Sequence, residues 1–451
     1  MTKNHLPMLV WLCAAALVPA EVSAQLVGGD SPPPESVRRP YRGLFGGPVD
    51  PNSTQSLVLS ASVFGAYDDN VAAEITGTDK FDPRLQQSGR YYGANVGLNY
   101  SLSKTLDRVT FGIASGAIAN TYNVDEDRKI VPHVHLSGNL DYSITPRTTL
   151  QFNQQAVYSK YYRFQLFPTV LGPDDDGALL GDPDVELYER ISLRYAVGAG
   201  IRHRLTPRSS LSGSYHFGYV DAQDAGYEDW KSQGGVIGYS RQVTTHATLN
   251  LGYGYRVSES SRPDGEPREI HDINLGMSYG RALSFSRRTS LQFSTGSAVM
   301  VSDNLTVPES DPRARFHLVG SAILTHEIGR SWTANAAYHR GLMFREGFDD
   351  PFMADGVSAR IGGLITRRLD VSIAASGSLA TQDRPGQNQY DSLAASAQAR
   401  YALTSFLALY ARYIYYQYEF GEDIPLEPGL PRSLDRQGVR VGLTTTIPLI
   451  R

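Results

Sequence analysis

The chain has 451 residues, 42 lysines and arginines against 46 acids, and a formal net charge of −4, a balance that argues against a nucleic-acid partner. Apolar residues make up 41%, too many for a disordered chain. The single cysteine, Cys13, excludes a disulfide framework and a cysteine-built metal site.

The N-terminus reads as an export signal over residues 1–24. Lys3 supplies the positive charge, Met8 to Ala20 the apolar core, and Val22-Ser23-Ala24 the small-residue cleavage site, so the mature chain is expected to begin at Gln25. Cys13 lies inside that signal, with Trp11 and Leu12 before it where a lipoprotein needs small residues. Beyond Ala24 no apolar run approaches the roughly 20 residues of a spanning helix. An exported soluble protein and a membrane barrel both remain.

Residues 25–55 are rich in Pro and Gly and read as a periplasmic tail, a linker or a lumenal plug. From there to residue 451 the hydrophobic period is two. Leu57, Leu59, Ala61 and Val63 alternate with Val58, Ser60, Ser62 and Phe64. Ala94, Val96, Leu98 and Tyr100 alternate with Gly93, Asn95, Gly97 and Asn99. The same pattern returns over 133–142, 210–219, 272–279 and 439–444. Each segment runs about 10 to 14 residues, the length of a tilted membrane strand, where soluble strands mostly run five or six.

A short phrase recurs between these segments, as in "LDYSITPRTTLQF" (140–152) and "IRHRLTPRSSLSG" (201–213). Short connections fall near 103, 146, 207, 244, 285, 329, 367 and 404. Longer polar ones fall at 68–88, 123–130, 163–189, 221–230, 258–269, 302–314, 345–355, 381–389 and 420–434. This alternation of short and long predicts an all-β, closed antiparallel transmembrane β-barrel of about 18 strands, with 16 as the alternative. Short turns then face the periplasm and long loops the exterior. A propeller needs four short strands per repeat, whereas each repeat here holds two long ones.

Tyrosine and arginine placement extend this reading. Tyr100, Tyr142, Tyr239, Tyr279 and Tyr401 each precede a short turn, and Tyr67, Tyr122, Tyr219, Tyr255 and Tyr415 sit near the opposite strand ends, as two interfacial girdles would. Arg194, Arg256, Arg360, Arg400, Arg412 and Arg440 fall on the polar parity, with Arg202 and Arg204 near a turn. A lipid-facing arginine at midplane costs about 2–4 kcal/mol, so these are expected to line the lumen, with Asp141, Asp272, Gln151, Gln155 and Gln292 beside them. A basic stripe favouring anions, ion pairing across the lumen, or plain solvation accounts for them.

The first segment ends in "SVFGAYDDN" (62–70), and "GANVGLNYSLSKTLDRVTFG" and "NLDYSITPRTTLQF" follow. Over 56–451 the chain resembles the outer-membrane β-barrel porins of Gram-negative bacteria that occur beside exopolysaccharide or capsule export genes. The resemblance implies a channel in the cell outer membrane, with a polysaccharide as one solute. Its implied partners are outer-membrane lipid, lipopolysaccharide, the barrel assembly machinery and polysaccharide export components. Many such barrels end in phenylalanine, whereas this sequence ends "GLTTTIPLIR".

Other chemistry is poorly supported. His133 and His135 share a strand face without an identifiable third ligand. Asp68-Asp69, Asp174 to Asp176 and Asp349-Asp350 read as solvated loop charge without a calcium-loop spacing. Ser214 and His216 are two apart on one strand face, which is no triad, and no nucleophile elbow is present. The expectation is therefore a porin-like channel, neither an enzyme nor a cofactor protein, with the 163–189 loop as constriction. A non-conducting surface scaffold or adhesin and a surface hydrolase are the alternatives. The solute and the oligomeric state stay open.

Overall fold

A computed structural model describes residues 55–450 apart from 70–88, 105–107, 125–126, 163–187, 223–228, 261–266, 284–287, 302–313, 330, 344–351, 383–388, 423 and 425–431. The expected signal and nearly all of the tail therefore lie outside the described residues, as do Asp174 to Asp176 and Asp349-Asp350.

The strands are β1 (Gln55–Asp68), β2 (Gly89–Lys104), β3 (Val109–Val124), β4 (Asp127–Thr145), β5 (Thr148–Tyr162), β6 (Tyr188–Thr206), β7 (Ser209–Ala222), β8 (Trp230–Gln242) and β9 (Ala247–Ser260). They continue as β10 (Arg268–Ala282), β11 (Thr289–Val301), β12 (Ala314–Ile328), β13 (Trp332–Met343), β14 (Phe352–Leu364), β15 (Leu369–Gln382), β16 (Gln389–Ala402), β17 (Leu407–Phe420) and β18 (Ser433–Ile450). Every strand pairs antiparallel with its sequence neighbours, and β1 also pairs with β18, from Leu57 opposite Ile450 to Asp68 opposite Gly438. The sheet has 18 strands and is closed, so no edge is left with unpaired amides.

The recurring phrase forms the short turns, and a threonine hydroxyl organises five of them. Thr145 Oγ1 accepts from Arg147 N at 3.2 Å, and Thr206 Oγ1 from Arg208 N at 3.2 Å. Thr244, Thr366 and Thr404 accept in the same way from His246, Arg368 and Phe406. The hydroxyl stands in for a backbone acceptor and closes the turn locally. Pro146 and Pro207 occupy turn positions where no ladder hydrogen bond is lost. Between β12 and β13 the turn needs a left-handed residue, and Gly329 supplies it with φ 66°.

One connection differs from the sequence expectation. A loop was expected over 123–130, but β3 and β4 stay paired down to Val124 opposite Asp127. A strand that projects beyond the apolar belt has water on both faces, so it carries no period-two signal.

The two faces of the sheet divide sharply by residue type. Leu275 is 65% exposed while its chain neighbour Asn274 is 8% exposed. Val96, Ile237, Leu318, Ile373 and Val441 share the exposed face; Ser60, Asn95, Asn250, Ser278 and Asp370 share the buried one. A water-soluble sheet would put its aliphatic side chains within a core. Here they form an outward belt, which only hydrocarbon can cover favourably. Among the described residues no helix is long and apolar enough to cross a membrane; the strands do so. The protein is a transmembrane barrel of the cell outer membrane.

Candidate functional site: the inner wall of the barrel

Cross-strand register groups the inward residues into rows, because directly paired residues lie on one face. The most charged arc runs over β14 to β18 and on through β1 to β2. One row reads Gly362, Ser372, Gln398, Arg412, Arg440, Ala66 and Tyr91. The next row toward the short turns reads Leu364, Asp370, Arg400, Tyr410, Gly442, Phe64 and Gly93. Arg360 lies one row further out, level with Ala374, Ser396 and Ile414.

Three arginines of this arc have well-defined partners along the wall. Arg400 makes a fork to Asp370, Nε to Oδ1 at 3.0 Å and Nη2 to Oδ2 at 2.5 Å. Arg436 donates from Nε to Asp68 Oδ2 at 2.7 Å, with both side chains 2% exposed. The Arg440 guanidinium carbon stands 3.9 Å from the centroid of the Phe64 ring, a cation–π arrangement, and its Nη2 lies 3.5 Å from Tyr91 Oη. Gly442 makes this packing possible: a Cβ there would lie 2.7 Å from the Phe64 Cβ and 2.3 Å from the Val63 carbonyl oxygen.

Opposite this arc, β4 to β10 carry a second set. Arg194 is half-buried, in register with Val157 and Val220, and Arg202 is exposed, in register with Thr149 and Ser212. Arg256 and His216 flank Gly234, where a Cβ would lie 2.6 Å from each side chain. Asp141 is half-buried between Thr110 and Gln151. The backbone of Asp272 is in register with Gly254, and its side chain lies outside the described residues. His135 Nδ1 is 3.1 Å from the Gly116 carbonyl oxygen, and among the described residues no group of three acidic, histidine or cysteine side chains could hold a metal.

Tyr100, Tyr142, Tyr239, Tyr279 and Tyr401 all share a face with exposed aliphatics near the short turns; Tyr142 pairs with Leu150, and Tyr401 with Leu409. Toward the other rim, Tyr67, Tyr219, Tyr255 and Tyr415 have the outward parity as well. The backbone of Tyr122 is in register with Tyr91, and its side chain lies outside the described residues. Asp68 departs from expectation: it ends β1 as a buried ion-pair partner, not as solvated loop charge. The 163–187 part of the expected constriction lies outside the described residues.

An aromatic cluster inside the barrel was not expected from the sequence. Tyr416, Tyr418 and Phe420 of β17 and Tyr390 of β16 point inward and are at most 4% exposed. Ring centroids are 4.7 Å apart for Tyr390 and Phe420, 5.4 Å for Tyr418 and Phe420, and 5.8 Å for Tyr416 and Tyr418. The available signal was in β17 itself: "LALYARYIYYQYEF" is apolar on both parities, unlike the other strands.

No family model matches the chain, and no curated protein does. Solved structures do. Acinetobacter baumannii OccAB3 aligns at 11% identity and a TM-score of 0.43, over 88% of this chain and 99% of that one. Pseudomonas aeruginosa OpdL aligns at 14% identity and 0.43, over 88% and 99%. Pseudomonas aeruginosa OccK2 (OpdF), solved in complex with glucuronate, aligns at 12% and 0.44, over 88% and 98%.

Proposed function

We propose that the barrel is a porin-like channel through which polar, anionic solutes diffuse across the outer membrane. The observation that supports this reading is strand register, in which Arg194, Arg202, Arg256, Arg360, Arg400, Arg412 and Arg440 have the parity opposite to the exposed aliphatic face. An 18-stranded barrel is wide enough for an aqueous channel, and a basic lining lowers the barrier for anions. Asp141 and Asp272 are acidic members of that lining, beside Asp370 and Asp68, which are paired with Arg400 and Arg436. In this reading residues 1–24 are a removable export signal, 25–55 a periplasmic tail and 56–451 the barrel. Tyr100, Tyr142, Tyr239, Tyr279 and Tyr401 anchor it at the periplasmic interface. A polysaccharide solute, export components and the assembly machinery are partners that the family resemblance implies.

Planar-bilayer recording tests the proposal. Purified barrel is expected to conduct and to show an anion-selective reversal potential in a KCl gradient. Arg360→Gln with Arg412→Gln is expected to move that potential toward zero. An unchanged potential in this double variant sinks the basic-lining reading. A second reading, a non-conducting scaffold, is favoured by the buried aromatic cluster on β16 and β17. A folded barrel that never conducts would establish it instead.

A further inference from the structure

The described charges are distributed unevenly along the barrel axis. At the short-turn end, Arg108, Arg147, Arg208, Arg288 and Arg368 each stand immediately before the strand that leaves the turn, and all are exposed. Their backbones are held by one repeated contact. The carbonyl of Arg147 accepts from Arg204 N at 2.7 Å, that of Arg208 from Gln242 N at 2.7 Å, and that of Arg368 from Ala402 N at 2.7 Å. The carbonyls of Arg108 and Arg288 accept likewise from Ser143 N and Glu327 N. Each turn is thus tied to the next hairpin, and the five arginines are spaced around the mouth by their backbones, with Arg108 Nη1 donating to the Ile144 carbonyl at 3.3 Å. Arg202 and Arg204, on the inward parity of β6, continue the basic character into the barrel. Described acids at this end include Asp141, Glu327 and Asp370, the last bonded to Arg400.

The opposite rim is mixed, since the strand ends there also carry Arg128, Lys129, Lys160, Arg190, Arg268 and Arg315. Asp69, Asp391, Glu419, Glu422 and Asp435 lie there, with Asp391 and Glu419 directly in register. Among the described bases at that rim, Arg340 pairs with Asp355 at 2.8 Å, Lys231 with Glu259 at 3.7 Å and Arg436 with Asp68. Arg90 and Arg432 are exposed, and Arg432 Nη1 donates to the Gly421 carbonyl.

We infer that the five pre-strand arginines form a capture ring for anionic solute at the periplasmic mouth of the channel. The inference rests on the channel reading above and adds a binding locus at one mouth. A ring of one sign at a low-dielectric mouth concentrates the opposite ion. The field acts over the Debye length, about 10 Å at 0.1 M salt and about 3 Å at 1 M.

The test is side-specific block of single channels by a short dextran sulfate. The chain's only cysteine is Cys13, so Glu422→Cys with a membrane-impermeant thiol reagent reports the orientation of each inserted barrel. At 0.1 M KCl the half-blocking concentration is expected to be about tenfold lower from the short-turn side, a difference that screening removes at 1 M. With Arg108, Arg147, Arg208, Arg288 and Arg368 all replaced by Gln, the barrel is expected to conduct still and to lose most of that asymmetry. Equal block of the wild-type channel, or asymmetry undiminished by the fivefold replacement, overturns the capture ring and leaves the channel reading standing. Folded wild-type barrel that does not conduct overturns the channel reading, and the capture ring with it.

Discussion

Asp68 and Arg436 lie 368 positions apart in sequence, yet Arg436 Nε is 2.7 Å and its Nη2 2.6 Å from the same carboxylate oxygen of Asp68. They join the first strand to the last. The next residues repeat the junction through the backbone: Gln437 N donates to Asp69 Oδ1 at 2.8 Å, and Asp69 N donates to the Gln437 carbonyl at 3.1 Å. A charge at 2% exposure is tolerable only while its partner is present. Asp68→Asn or Arg436→Met alone is therefore expected to lower stability by about 3–5 kcal/mol. Asp68→Leu with Arg436→Met together is expected to cost less than either alone. Urea titration, read by the gel shift between folded and unfolded barrel, measures this. Equal additive losses would show that the pair is not coupled.

Much of the architecture was legible because lipid forces a strict pattern. Wherever a strand crosses the belt, as in "GANVGLNY", the outward residue is apolar and the next is small or polar, so parity and strand length were readable from Gly93 to Tyr100. The short turns were readable because each reuses a threonine or another turn residue. Three features escaped for physical reasons. The β3–β4 extension carries polar or charged residues on both parities, such as Asn123, Asp127, Arg128 and Lys129, and so shows no periodicity. Phe64 and Tyr418 sit on the inward parity among aromatics, where an apolar side chain packs against its neighbours and not lipid, so parity alone could not assign them. The Asp68–Arg436 pair joins chain ends that no local pattern connects, and Asp68 read alone looked like a loop acid. The fork from Arg400 to Asp370 was likewise hidden, because that contact depends on strand register.

The threonine turns make a separable prediction. Thr366 Oγ1 accepts from both Arg368 N at 3.2 Å and Leu369 N at 3.1 Å, on an exposed turn outside the apolar belt. Thr366→Val keeps the shape and removes the acceptor. It is expected to cost about 1 kcal/mol, the net value of a typical hydrogen bond, in equilibrium urea unfolding. Thr366→Ser restores the acceptor and is expected to recover most of the loss. If Val and Ser behave alike, the hydroxyl does not organise the turn.

Gly442 tests the packing under Arg440. Its missing Cβ leaves room beside the Phe64 side chain and the Val63 carbonyl, on the strand that closes the barrel. Gly442→Ala introduces atoms where backbone already stands, so β1 and β18 must shift apart. Overpacking of this kind costs about 1–3 kcal/mol. Adding Phe64→Ala is expected to relieve only part of that penalty, since the carbonyl contact stays. Unfolding of the two single variants and the double variant forms a cycle that measures the relief.

Tyr418 separates the two readings of the interior. It is fully buried, with its ring 5.4 Å from that of Phe420 and 5.8 Å from that of Tyr416, and it is in register with Ser392, whose hydroxyl lies 2.7 Å from that of Ser378. Tyr418→Ala removes the central ring of the cluster, and large aromatic truncations in packed sites cost about 3–5 kcal/mol. Tyr418→Phe keeps the ring and is expected to retain most of that stability. If the cluster only narrows a working channel, the alanine variant conducts more than the wild type and the phenylalanine variant conducts like it. If the cluster belongs to a sealed scaffold, wild type and phenylalanine variant are both silent, and current appears only after alanine opens the wall. Single-channel recording on all three proteins, each first shown to be folded by its gel shift, distinguishes these outcomes.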